Sequence, residues 1–213
     1  MKNKISVLIA VVVGLIAILG CKQLSQIGKN ATSNTQGEST PSIVPSKAYT
    51  AEGKEWKSYD LAQTDIKIDL PASPSDKSPE MSPSLKEAFS AMRIYALDDK
   101  EFSASGTELI PTGKRKFQIK ELSESNMTAL KRQIHDLTYT VDIQSDTKAK
   151  LNGTFTRNGK SFEVRGCCLY KKTDPLRVWT VLTLYAKDNP DATQAAQRVI
   201  DSVVFKGATE DCK

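Results

Sequence analysis

The chain has 213 residues, 39% of them hydrophobic and 26% charged, with a formal net charge of +5 at pH 7. That length suits one sizeable core, and the charge is too balanced to argue for nucleic acid. The short basic runs Lys114-Arg115-Lys116 and Lys171-Lys172 stand among acids and read as solvated faces or turns.

Taken in chain order, the first feature is a signal. Lys2 and Lys4 form a basic start, and Ile5 to Leu19 is apolar apart from Ser6 and Gly14. A stretch of this length matches a secretory h-region of about 7–15 residues and falls short of the ~20 needed to span a bilayer. The run ends on Ile18-Leu19-Gly20-Cys21, which resembles the lipobox of bacterial lipoproteins. A small residue before the thiol admits the signal peptidase, and the thiol is the nucleophile that accepts a diacylglyceryl group. The resemblance implies cleavage of residues 1–20, with acyl chains such as palmitate on Cys21. Two or three chains make a stable anchor, at about 0.8 kcal/mol per buried methylene. Lys22 stands where inner-membrane retention uses aspartate, which favours the outer membrane in a Gram-negative cell. The competing readings are an uncleaved signal anchor and a buried cysteine ending a core helix. Without residues 1–20 the net charge falls by two lysines to about +3.

Residues 21–49 are rich in Ser, Thr, Asn, Gln, Gly and Pro and show no helical or strand period. Such a composition predicts a flexible linker with a root-mean-square span of roughly 30 Å. One domain is expected over residues 50–207, followed by a tail over 208–213. Its first elements are strands through "KEWKSYDL" and "DIKIDLP", with Ile66, Ile68 and Leu70 on a buried face. The Pro/Ser-rich "PASPSDKSPEMSPS" reads as a loop, and Ser84 as the cap of a short turn through Leu85–Phe89. "AMRIYALDDKEFSASGTEL" reads as a hairpin turning at Asp98-Asp99-Lys100. "SESNMTALKRQIHDL" reads as an amphipathic helix capped by Ser123 or Ser125, with Met127, Leu130, Ile134 and Leu137 as its inner stripe.

Strands follow through "TYTVDIQ", "KLNGTFTR" and "KSFEVRGCCLYKK", with Asn158-Gly159 as a type I′ hairpin turn. In "RVWTVLTLYA" both faces are apolar: Val178, Leu182 and Leu184 on one, Trp179, Val181 and Tyr185 on the other. That predicts a central, doubly covered strand. Asn189 caps a last helix with Pro190 at its first position, and "SVVF" closes the domain. The fold class is α+β, an antiparallel sheet with helices packed on it.

After Cys21 the cysteines are Cys167, Cys168 and Cys212. Adjacent strand residues point to opposite faces, so one of the pair faces a core while the other reaches the tail. The alternatives are a disulfide from Cys212 to Cys167 or Cys168, and three free thiols. No C-x-x-C spacing supports a metal, and no cofactor is expected.

The opening strands closing on "IDLP", the middle helix, the meander with its "NG" turn and the closing "AAQRVIDSVVF" together resemble PsbP/DcrB-type domains. The resemblance covers most of residues 55–206. It implies a PsbP-like fold and an exported or membrane-associated accessory role without catalysis.

Catalytic signals are few. The single histidine, His135, falls on the middle helix next to Ile134, and its expected role is a surface or boundary side chain. Neither a G-x-S-x-G elbow, a P-loop nor an H-E-x-x-H is present. Asp60 and Asp69 sit on solvent-facing strand positions. Trp56, Tyr59, Trp179 and Tyr185 are core aromatics or the lining of a ligand groove. The expected function is therefore a non-catalytic binding or assembly module of the cell envelope. It sits on the extracytoplasmic side of the cell membrane or outer membrane, held there by its lipid, with an envelope protein as partner. The alternatives are a small-molecule or lipid carrier using a sheet–helix cavity, and a cryptic hydrolase.

Overall fold

The computed structural model describes residues 49–99, 101–112, 117–172 and 175–213; the lipobox, Cys21 and the Lys114-Arg115-Lys116 run lie outside the described residues. Two short strands, β1 (Lys57–Asp60) and β2 (Ile66–Leu70), open the body. Next come β3 (Ser75–Asp76), α1 (Pro83–Ala88), β4 (Phe89–Asp99) and β5 (Phe102–Pro111). Helix α2 (Ile119–Lys131) leads into the meander β6 (Thr138–Ile143), β7 (Lys148–Arg157), β8 (Lys160–Lys171) and β9 (Arg177–Ala186). Helix α3 (Pro190–Ser202) and β10 (Val204–Phe205) complete the described elements.

Seven strands form an antiparallel sheet in the order β3-β4-β5-β9-β8-β7-β6, and a second small sheet has the order β1-β2-β10. The chain leaves β5, crosses through α2 to the far edge at β6, and steps back strand by strand until β9 pairs with β5. The class is α+β with antiparallel sheets.

The large sheet separates two cores. On one face α2 rests on β6, β7 and β8, burying Met127 and Leu130 against Leu151, Val164 and Leu182. On the other, α3 and the small sheet bury Ile66, Ile68, Val199 and Phe205 against Phe102, Trp179, Val181 and Tyr185. Strand β9 lies between them. Its Val178 and Leu182 enter the first core, and its Trp179, Val181 and Tyr185 the second, as the apolar pattern on both faces predicts.

Local chemistry explains the element ends. Asn158 (φ 51°) and Gly159 (φ 73°) take the left-handed conformations of a type I′ turn between Arg157 and Lys160. Pro190 starts α3, and the Asn189 Oδ1 accepts from the Ala192 N–H at 3.1 Å. The Asn189 Nδ2 also donates to the Tyr49 carbonyl and to Glu101 Oε2, both at 2.9 Å. Asn189→Ala is therefore expected to cost about 1–2 kcal/mol, the upper part of the range for a lost cap. A urea midpoint equal to that of the parent chain would contradict it.

Several expectations need correction. The short helix is capped by Ser82, with Pro83 at its first position, and Ser84 lies inside it. Asp98 and Asp99 are not turn residues; they pair with Ser103 and Phe102 as the last residues of β4. Helix α2 starts at Ile119 rather than at Ser123, has no side-chain cap, and ends at Lys131. Ser123 is a buried residue within it. Ile134 and Leu137 do bury, but by folding the chain back over the helix end on its way to β6. Apolar spacing registers burial and cannot distinguish a continued helix from a returning turn. The closing "SVVF" supplies the last strand, and its Val204–Phe205 pairs with β2 in a separate sheet.

Candidate functional site

The sequence candidates do not converge. His135 lies in the exposed turn after α2, and among the described residues it has no hydrogen-bond partner. Asp60 pairs with Lys206 at 2.8 Å and Asp69 with Arg198 at 3.8 Å, both at the surface. Trp179 and Tyr185 are fully buried; Trp56 is half-buried, with the Arg198 guanidinium 4.4 Å above its ring. No group of three or more His, Cys, Asp or Glu is placed to hold a metal among the described residues. Nor is any helix among them long and apolar enough to cross a membrane.

Cys212 is bonded to Cys167, whose side chain faces the α3 side of the sheet. Cys168 points the other way, into the α2 core, where it is a buried free thiol. The Thr180 hydroxyl lies 3.7 Å from its sulfur, and Asn126 on α2 donates to that hydroxyl at 3.0 Å. Burial pushes the Cys168 thiol up to about 11, so it stays protonated and unreactive at neutral pH. In a Cys21→Ser chain, a thiol reagent is expected to label no cysteine natively. It should label one in denaturant and three after reduction. Native labelling would show that this thiol is open to solvent.

Two concavities are found among the described residues. The first is a groove of about 330 Å³ on the bare face of β6, β7 and β8. Among the described residues, α3 and the small sheet pack on β9, β5 and β8 and leave Thr138 and Thr140 of β6 and Asn152 and Thr154 of β7 exposed on that side. Strand alternation turns Thr138, Thr140, Asn152 and Thr154 outward there, beside Glu163 and Arg165 of β8. The charges are fixed in place. The Tyr185 hydroxyl donates to Glu163 Oε2 at 2.6 Å, Arg165 donates to the same oxygen at 3.1 Å, and the Lys187 ammonium lies 3.7 Å from Oε1. The outer edge of the groove is β6, which among the described residues has β7 as its only neighbour in the sheet. Such an edge leaves alternate backbone N–H and C=O groups unpaired. Hydroxyls, an amide, one held ion pair and a free strand edge suit a polar protein surface or an extended segment better than an apolar small molecule.

The second concavity, about 220 Å³, lies where residues 207–210 of the tail cross the ends of β8 and β9. Neither of the two lies between the sheet and a helix.

Glu163 and Glu101 also govern the acid response. The Tyr185 hydrogen bond, then Arg165 and Lys187, outweigh burial and hold the Glu163 carboxyl below its ordinary value. At Glu101 burial alone would raise the carboxyl, but Lys160 and Asn189 together outweigh it and hold the group low. A carboxylate with a lowered folded value stabilises the fold above its unfolded value. That contribution is lost as pH falls through the folded value. Stability is thus expected to drop as the pH falls below 4.5, the ordinary value for both groups. Asp98 opposes the trend, because burial raises its carboxyl. Urea midpoints that stay level or rise from pH 5 to pH 3 would overturn the expectation.

Sequence reasoning missed Glu108. It is an acid at 1% exposure on β5, and its carboxylate accepts from Trp179 Nε1 at 2.6 Å and Arg177 Nη1 at 2.8 Å. The only signal was an acid within an otherwise uncharged strand.

No protein-family model matches the chain, and no curated protein matches it. Among solved structures it is similar to the Saccharomyces cerevisiae Ran-binding protein Mog1p. The identity is 12% and the TM-score 0.42, over 71% of this chain and 96% of that one. It is also similar to LpqN, involved in cell envelope biogenesis of Mycobacterium tuberculosis. Here the identity is 10% and the TM-score 0.34, over 72% of this chain and 85% of that one. These superpositions are loose, and the fold and sites described above stand on the chain's own residues.

Proposed function

We propose that the chain is a lipid-anchored protein of the bacterial cell envelope. Its domain, of the PsbP/DcrB kind, is a non-catalytic binding or assembly module that takes a protein partner on the open face of β6, β7 and β8. The observation that carries the reading is the sequence Ile18-Leu19-Gly20-Cys21, closing an apolar run too short to span a bilayer. The composition of residues 22–48 supports a linker between that anchor and the folded body. The binding half of the reading is supported by the groove, whose polar side chains and free strand edge offer hydrogen bonds to an extended partner segment.

The test has two arms. The intact mass of the full chain from its native membrane is expected to begin at Cys21 with acyl chains added, and Cys21→Ser is expected to lose them. A photo-crosslinking side chain at Thr140 or Asn152 is expected to trap an envelope protein that the same group at Lys57, on the small sheet, does not. An unmodified 213-residue mass would overturn the anchor, and equal trapping from both faces would overturn the groove.

A further inference from the structure

Strand β6 ends the large sheet without the usual guards of an edge. It is six residues long, pairs with β7 in unbroken register, and holds neither proline nor lysine. Its Thr, Tyr, Val and Ile residues are of the types that favour sheets, and Asp142 is its one charge. The opposite edge, β3, is guarded by its length of two residues. Ile143 is 42% exposed, one of two large apolar side chains left open among the described residues.

The direction of the open backbone groups follows from the turn after β6. The Gln144 N–H donates to the Lys148 carbonyl at 3.0 Å, in the register that pairs Asp142 with Lys150 and Thr140 with Asn152. At the other end the Thr156 N–H reaches Asp136 Oδ2 at 2.7 Å. Antiparallel strands exchange bonds at every second pair, so Thr138, Thr140 and Asp142 turn their backbone groups to β7. Tyr139, Val141 and Ile143 turn theirs outward, where no acceptor meets their N–H groups among the described residues. The side chains of these three lie on the α2 side of the sheet. Tyr139 and Val141 pack against that core, and the Tyr139 hydroxyl lies 3.0 Å from that of Thr128 on α2. Thr138, Thr140 and Asp142 lie on the groove side.

A strand that fits this edge offers outward groups at the same spacing, apolar side chains on the α2 side and no acid opposite Asp142. β6 itself meets all three demands. Set antiparallel to a second copy about a two-fold axis normal to the sheet, it can place Thr140, Val141 or Asp142 on the axis. With Asp142 there, two carboxylates face each other, which is unfavourable. With Thr140 there, Ile143 would face Leu137, which is buried in the turn before β6. With Val141 there, Val141 faces its own copy, Tyr139 faces Ile143, and Asp142 faces the Thr140 hydroxyl. Every outward N–H and C=O is then paired, and Ile143 gains an aromatic cover. The helices leave room. α2 rests on β6, β7 and β8, and so is centred near β7. Two β7 strands would stand three strand spacings apart, about 14 Å, against 8–10 Å for packed helices.

We propose that a second copy of the chain pairs with β6 across a two-fold axis at Val141, joining two seven-stranded sheets into one. The axis puts both bare faces on the same side, so the two grooves lie next to each other. The inference rests on the free edge of the binding reading and deepens it: the edge goes to a second copy, and the face of β7 and β8 stays open to the envelope partner. A strand edge buries less than the ~1,000 Å² of stable interfaces, so the pairing is reversible.

Disulfide trapping tests it, on the full Cys21→Ser chain in detergent, where Cys168 is buried and Cys167 is bonded to Cys212. On oxidation with copper–phenanthroline, Val141→Cys is expected to form dimers at least tenfold faster than Thr140→Cys or Asp142→Cys. The copies of those two stand two residues out of register, beyond the ~7 Å that a disulfide spans between Cα atoms. Without an added cysteine, sedimentation is expected to show a monomer–dimer equilibrium at roughly 10–500 µM. Val141→Pro removes an outward N–H and no bond to β7, and is expected to abolish the dimer with an unchanged urea midpoint. If that variant unfolds, Ile143→Lys replaces it. Equal trapping at the three positions, or a chain that stays monomeric to about 1 mM, would overturn the proposal. The purified chain carries neither lipid nor envelope partner, so a failure here leaves the anchor and the groove standing, and their failure leaves the dimer.

Discussion

Glu108→Ala is expected to destabilise the fold by about 3–5 kcal/mol, the range for breaking a buried ion pair from one side. Glu108 is 1% exposed and holds three donors at once. Oε1 accepts from Arg177 Nη1 at 2.8 Å, and Oε2 accepts from Trp179 Nε1 at 2.6 Å and from the Asp65 N–H at 2.9 Å. Removing the carboxylate leaves the indole N–H without an acceptor in a closed core and takes one of two acids from Arg177. The other, Asp65, remains at 3.1 Å from Nε. The orphaned donors cost about 1–3 kcal/mol each, and these losses do not add. Glu108→Gln keeps an acceptor for Trp179 and is expected to lose less. The double variant Glu108→Leu/Arg177→Met should be more stable than Glu108→Ala, because its apolar side chains refill the space that alanine leaves empty. Urea unfolding measures all three, and a loss below about 1 kcal/mol for Glu108→Ala would contradict the role given to the carboxylate.

The second large effect is at the disulfide. Cys167 and Cys212 are 45 residues apart, and the loop they close contains β9, α3 and β10. Chain-entropy arithmetic for a loop of that size gives about 4 kcal/mol, acting through the unfolded state. Cys212→Ser, or reduction, is expected to lower stability by up to that amount. Cys168→Ser serves as the comparison, because it leaves the cross-link in place and alters only the α2 core. A Cys212→Ser loss of under about 1 kcal/mol would mean that the tail adds little to holding the domain together.

How much of this was legible depended on whether the information was local. The period-two pattern of Ile66, Ile68 and Leu70, the Asn158-Gly159 turn and the Asn189-Pro190 helix start each act within a few residues, and each is found where expected. The two apolar faces of β9 gave its central place correctly, because burial on both sides writes itself into one strand. The end of α2 was misread because Ile134 and Leu137 are apolar for a turn as much as for a helix. The groove was not legible. It is bounded by what α3 fails to cover, and Thr140 and Asn152 line up with Arg165 only through strand register. Lys171 was read as half of a solvated basic run; its place under the tail depends on a segment thirty-six positions further along. Glu108 was invisible because its three donors come from β5's partner strand and from the turn before β2.

The two chain ends of the folded body meet the large sheet at different heights. Tyr49 packs its ring against Phe102 at a tilt of 44° and gives its carbonyl to Asn189, at the level where β5 pairs with Tyr185 of β9. The tail is clipped to Cys167, which stands opposite Val181, four residues away along the same strand, or about 14 Å. A pull between the two ends therefore runs along the strands. Hydrogen bonds loaded in that direction share the force and must yield together, whereas a pull across the strands would open them one after another. The Cys167–Cys212 bond takes the strain at the tail end, so a tug on the N-terminal side would meet a domain braced lengthwise by a covalent clip.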